Sequence, residues 1–172
     1  AAFRSDKIVL FKRQSDSGKL KVLDEVRRSA RPAASGFGFP FRQPAQISSD
    51  EPEPFHRSEN DDGAIIPYQD FRFVIEAVFA PDSRVIHALC CSSETVVTFR
   101  VTEQEELDLV QVVRSVDDCF ANARGVFVTS DGKSMYVASQ RGNTLTVLDR
   151  DPDTGKATIV QICKDEENGF RA

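Results

Sequence analysis

The sequence predicts an all-β chain of β-propeller-type blades, each an antiparallel sheet of four strands. Three observations carry that reading. First, Gly125 to Gln161 holds four runs rich in Val, Thr, Ile, Leu and Tyr, separated by SDGK, QRGN and DPDTGK. The runs have strand chemistry, and the separators supply the Gly, Asn and Asp that tight turns use. Second, a diverged copy lies 49 positions earlier: Asp131 falls on Asp82, Thr144 on Thr95 and Leu148 on Phe99. After Phe99 the earlier copy is one residue shorter, and Val110-Gln111 then matches Val160-Gln161. Third, the chain opens on half a unit, in which Phe11 takes the place of Leu148 and Gly18-Lys19 that of Gly155-Lys156. Repetition at about 20–50 residues marks solenoids, propellers and arrays, and units of four strands point to propeller blades. A β-sandwich is the alternative, and the recurrence of turns at matched offsets favours the repeat.

In chain order, residues 1–26 form a partial blade, its last two strands, at 3–13 and 19–26, joined by a turn at Asp16-Ser17-Gly18. Residues 27–70 interrupt the repeat. They hold six of the eight prolines and an acidic run, so a largely irregular insertion is expected. Residues 71–123 form a blade and its connecting loop, with strands near 73–80, 85–90, 95–101 and 107–113. Residues 124–172 form a blade and a tail, with strands near 125–129, 134–139, 144–150 and 157–162. The connection at 114–124 is expected to run over one end of the blades, at the mouth of a central channel, where propellers place ligands. The count is about two and a half blades, an incomplete propeller whose outer faces need cover.

The string SDGKSMYVASQRGNTLTVLDRDPDTGKATIVQ resembles the blade unit of lactonase-like, YVTN-type seven-bladed β-propellers. Residues 125–161 match that pattern closely, 73–113 loosely and 7–23 only its second half. The resemblance implies the architecture. For function it implies sugar-lactone hydrolases, surface proteins or binding proteins. No stretch matches the catalytic residues of the lactonases, so none is carried over.

Acidic residues outnumber basic ones, 27 to 22, for a net charge of −5. This argues against a general nucleic-acid surface. No apolar run is long enough for a membrane-spanning helix. The chain begins with Ala, as a processed protein or a piece of a longer one would.

Several clusters invite chemistry. Asp149, Asp151 and Asp153 alternate on a turn that ends at Gly155, a spacing a hard cation such as Ca²⁺ could use. Asp, Pro and Gly also suit a plain hairpin turn, the simpler reading, and no cofactor is expected. Cys90, Cys91, Cys119 and Cys163 show no CxxC spacing, which disfavours a zinc site, and Cys90 reads as a buried thiol. His87 lies mid-strand and His56 in the insertion. Neither sits in a nucleophile motif, and a structural role is expected for both. Glu103 to Glu106 reads as a solvated outer turn. Phe37, Phe39 and Phe41 are costly to leave in water. They either pack on the chain's own blades or dock a protein partner, and they are the candidate partner-binding residues.

No catalytic residue is assigned. The first functional expectation is a non-enzymatic propeller segment that binds proteins or serves as a scaffold in a larger protein or assembly. The alternative is a fragment of a lactonase-type hydrolase, similar to 6-phosphogluconolactonase. Its partners would be other proteins or the missing blades themselves.

Overall fold

The computed structural model describes residues 7–15, 17–28, 56–57, 64–66 and 69–165. Twelve strands form three four-stranded sheets among these residues, with no helix. β1 (Lys7–Arg13), β2 (Leu20–Arg28), β3 (His56–Arg57) and β4 (Ala64–Ile66) make the first, in the order β1-β2-β4-β3. The second is a meander of β5 (Val74–Phe79), β6 (Val85–Cys90), β7 (Thr95–Val101) and β8 (Leu107–Arg114). The third repeats it with β9 (Ala123–Val128), β10 (Ser134–Ser139), β11 (Thr144–Arg150) and β12 (Ala157–Lys164). These are propeller blades, and they are called blades 1 to 3 below.

Each blade turns where its sequence allows. Gly132 closes the β9–β10 hairpin with a left-handed φ of 70°, and its N–H donates to the Thr129 carbonyl at 2.9 Å. Asp131, beside it, keeps a negative φ, so Gly132 alone of the pair is left-handed. In blade 2 the equivalent residue is Ser83, held at φ 58° although it has a side chain. The outer strands repeat a bulge. The register shifts between Leu10 and Phe11, between Thr98 and Phe99, and between Val147 and Leu148. That shift flips the facing of every side chain beyond it. The alternation therefore changes phase within each outer strand: Leu107, Leu109 and Val112 pack toward blade 1, while Gln111 and Val113 reach blade 3.

Blade 2 is covered on both faces. Val74, Ile86, Ala88, Val97, Phe99 and Leu107 pack against Ile8, Leu10, Val26 and Ile66 of blade 1. On the other side Leu89, Val96 and Val113 pack against Val126, Met135, Val137, Leu148 and Ala157 of blade 3. Phe71 stands edge-on to Phe99, ring centres 6.2 Å apart, and closes the first core. Its repeat partner 49 positions on is Phe120, equally buried. The repeat thus begins before Val74, and this aromatic pair is the signal in the sequence that shows it.

The half unit at the N-terminus differs from expectation. Two strands were expected there; β4 and β3 extend the sheet to four. β4 runs parallel to β2, Val26 to Arg28 opposite Ala64 to Ile66. The short apolar run Ala64-Ile65-Ile66 satisfies the open edge of β2, and Ile66 is buried in the core. So part of 27–70 is strand rather than irregular, and β2 itself reaches Arg28. The addition is on the outer edge, beyond β2. Among the described residues no strand pairs with the inner edge of β1, where β6 and β10 pair in the other blades. Phe37, Phe39 and Phe41 lie outside the described residues, and so does Asp16.

Side chains lock the blades together by a rule that repeats. Asp24 accepts the N–H of Leu107, the first residue of the next blade's outer strand, at 2.6 Å. Gln111, at the same position of blade 2, brackets Ala157. Its Nε2 donates to the Ala157 carbonyl at 3.0 Å, and its Oε1 accepts the Ala157 N–H at 2.8 Å.

His87 is structural. It is fully buried between blades 2 and 3. Its Nε2 accepts the Nε–H of Arg150 at 3.0 Å, so the proton sits on Nδ1, which donates to Thr98 Oγ1 at 2.9 Å. Burial first, and then the Arg150 charge, lowers its pKa to about 4. Arg150 also donates to the Gly132 carbonyl at 2.8 Å and stands 3.7 Å from Asp82.

Candidate functional site: the channel mouth

β5 and β9 are the inner strands, and they approach one another. At their N-terminal ends four segments meet: the connections leading into β5 and β9, the β6–β7 loop, and the β10–β11 loop. Repeated backbone ties fix both connections. The Thr95 hydroxyl donates to the Asp70 carbonyl at 2.7 Å. The Thr144 hydroxyl, its equivalent, donates to the Cys119 carbonyl at 3.0 Å, joined by Ser139 at 2.7 Å and Thr146 at 3.1 Å. Arg114 grips the Asp70 carboxylate with two nitrogens, its Nε at 3.1 Å and a terminal nitrogen at 2.8 Å. Gly142 is required by close approach: a Cβ there would stand 2.5 Å from the Asp118 carbonyl oxygen.

On this frame a polar cluster gathers at the N-terminal end of β9. Asn122 Nδ2 donates to Gln140 Oε1 at 3.2 Å, and Arg124 Nε donates to the same oxygen at 3.0 Å. The Cys91 thiol donates to Asn122 Oδ1 at 3.2 Å. Asn122 and its repeat partner Phe73 both hold left-handed backbone, φ 50° and 59°. Such strain in residues with side chains persists only where surroundings enforce it, and it gathers at functional sites. Deeper between the inner strands, the Glu76 carboxylate accepts the N–H of Val126 at 2.8 Å. Burial raises the Cys91 pKa, with Arg124 lowering it and Glu94 raising it. The thiol is therefore protonated at neutral pH and is a poor nucleophile.

The residues singled out in the sequence go elsewhere. The four cysteines are thiols, with Cys90 and Cys119 buried. Asp151 spends its carboxylate on its own turn, accepting from the N–H groups of Asp153 and Thr154 and from the Thr154 hydroxyl. These bonds, the hydroxyl's above all, hold its pKa below the usual range. Asp149 lies on β11, and the carbonyl of Asp153 accepts from Arg100 at 2.6 Å. The three side chains form no metal-ligating group, nor does any other set of His, Cys, Asp and Glu among the described residues. Glu105 pairs with Lys12 of blade 1, so the acidic turn ties two blades. His56 is on β3. Sequence reasoning expected the mouth at the 114–124 connection, which holds Asn122 and Arg124, and at the turns between the middle strands, which hold Cys91, Glu94 and Gln140, but singled out none of these five as site residues. They are ordinary polar residues, and only the offset of 49 between Phe73 and Asn122 marks the spot.

Residues 40–168 match the family described as Lactonase, 7-bladed beta-propeller. The chain belongs to this family. Among solved structures, this lactonase-family propeller chain resembles the periplasmic gluconolactonase of Pseudomonas aeruginosa, at 17% identity and TM-score 0.60, with 94% of this chain and 35% of that one covered. A candidate 6-phosphogluconolactonase of Bacteroides fragilis is similar at 16% identity and TM-score 0.60, over 94% of this chain and 34% of that one. A protein of Lactobacillus plantarum is similar at 17% identity and TM-score 0.59, over 98% and 39%. No curated protein matches the lactonase-family chain. It spans about a third of the length of these solved structures, and at such identities the likeness is one of fold.

Proposed function

We propose that this chain contributes part of the substrate mouth of a lactonase-type hydrolase acting on a sugar lactone. The carrying observation is the cluster of Arg124, Asn122 and Gln140 where the two inner strands begin. A guanidinium beside two amides suits an anionic, hydroxyl-rich ligand such as an aldonolactone phosphate or its open acid. Glu94, on the β6–β7 loop with its backbone carbonyl accepting the Ser115 N–H at 2.9 Å, is the carboxylate we propose to activate water. It takes a proton as the water oxygen attacks the lactone carbonyl carbon; the ring C–O bond then breaks, and the released oxygen is protonated. Arg124 steadies the developing oxyanion. His87 cannot serve as base, being buried and engaged on both nitrogens. Family membership and the gluconolactonase-like neighbours favour this reading over the scaffold reading, whose aromatic residues lie outside the described part of the chain.

The test is an NMR titration of the chain with 6-phosphogluconate, the product acid. Amide signals of Asn122, Arg124 and Gln140 are expected to move together, and Arg124→Gln is expected to weaken binding about tenfold. Binding that leaves those signals still, or that Arg124→Gln does not change, would overturn the assignment.

A further inference from the structure

We infer that Glu76 is a positioning residue: reaching across from blade 2, it clasps the bulge on β9 that carries Arg124 and so fixes where that guanidinium stands. For its ligand this role rests on the hydrolase reading; the clasp itself needs no ligand.

Both inner strands carry the same irregularity. In β9, Gly125 pairs with Ala138 and Ala123 with Ser139, so Arg124 is the extra residue and has no partner on β10. In β5, Val74 pairs with Cys90 and Glu76 with Leu89, so Ile75 is the extra residue. Ile75 and Arg124 occupy the same repeat position, 49 apart. A bulge re-aims the side chains around it and interrupts the ladder bonds that would hold them. Ile75 is anchored by apolar packing against the core between blades 2 and 3. Arg124 is exposed, and its Nε–H reaches only as far as the Gln140 side chain.

The support for the β9 bulge comes from the neighbouring blade. β9 is the edge strand of its sheet, and on such a strand alternate N–H groups point away from the ladder. That of Val126, two residues past Arg124, is accepted by Glu76 Oε2 at 2.8 Å. The carboxylate arrives where blade 3 has left room. Its own repeat position there is Gly125, and a Cβ on Gly125 would stand 3.8 Å from the same oxygen. Any longer side chain at 125 would compete for the space the carboxylate fills. A bond from a backbone N–H to an ionised carboxylate is also stronger than one between neutral groups. Glu76 thus pins the strand immediately after the residue that the ladder leaves loose.

Two conservative variants of the full chain separate reach from charge. Glu76→Gln keeps an acceptor oxygen at the same length. Glu76→Asp keeps the charge but withdraws it by one methylene, away from the Val126 N–H. Far-UV circular dichroism verifies that each folds. NMR reads the hydrogen exchange of the Arg124 Nε–H, and titration with 6-phosphogluconate reads the site. Glu76→Asp is expected to speed that exchange about tenfold and to weaken binding about fivefold, whereas Glu76→Gln stays within about twofold of wild type in both. Gly155→Ala, strained at the β11–β12 turn, serves as the control for general loss of stability and is expected to leave the Arg124 Nε–H as it was. Unchanged exchange in Glu76→Asp, equal damage from Glu76→Gln, or the same effect from Gly155→Ala would each refute the clasp. A wild-type chain that binds no 6-phosphogluconate, while Glu76→Asp still frees the Arg124 Nε–H, would overturn the hydrolase reading and uphold the clasp.

Discussion

The buried His87 makes folding stability depend on pH in a defined window. Its pKa is about 4 in the folded chain against 6.5 for the free side chain. The folded state therefore binds fewer protons than the unfolded state as pH falls below 6.5. Stability is fully present above the unfolded value and is lost as pH falls toward the folded one. The two titrations give a loss of about 2 kcal/mol between about pH 7.5 and about pH 5. The physical cause is geometric. Protonating Nε2 would aim a new N–H at the Nε–H of Arg150, 3.0 Å away, and place two cations together under the blades. Urea unfolding at the two pH values measures the loss. In His87→Leu the wild-type slope should vanish, leaving a pH dependence about 2 kcal/mol smaller, even if the variant is less stable at both values. His87→Leu with an unchanged pH dependence would show that the imidazole is not held neutral between the blades.

Three further substitutions probe the same joints. Arg150→Met strips His87 Nε2 and the Gly132 carbonyl of their buried donors, and should cost about 3 kcal/mol by urea denaturation at neutral pH. Gly155→Ala combines a φ of 76° with a Cβ 2.8 Å from Val85. It should destabilise the chain by about 2 kcal/mol or more and lower the thermal midpoint. Ser83→Gly relieves the left-handed angle that Gly132 already accommodates in blade 3, and should raise stability by about 0.5 kcal/mol in the same assay.

Much of the architecture was legible because it is local and periodic. The turn residues at SDGK, QRGN and DPDTGK and the offset of 49 define eight strands, which the structure places within two residues of the positions read from the sequence. The partial blade was half legible. β1 and β2 follow from their likeness to β11 and β12, but the pairing of β4 with β2 is a parallel contact between segments separated by a long insertion. No pattern in three residues such as Ala64-Ile65-Ile66 announces a partner that distant. The mouth was the least legible. Arg124 and Gln140 lie 16 residues apart on different segments, and Cys91 lies 31 residues from Asn122.

By itself, then, the sequence determined the repeat, the strands and the resemblance to lactonase-like propellers, because turn chemistry and alternating apolar residues act over a few neighbouring positions. Only the tertiary structure decided which polar groups converge. It assigned His87 to a joint rather than a site, turned Gln111 and Asp24 into clamps, and gathered Asn122, Arg124 and Gln140 at one mouth. Those outcomes depend on how one sheet is stacked on the next, a relation between residues far apart in the chain that no local spacing encodes.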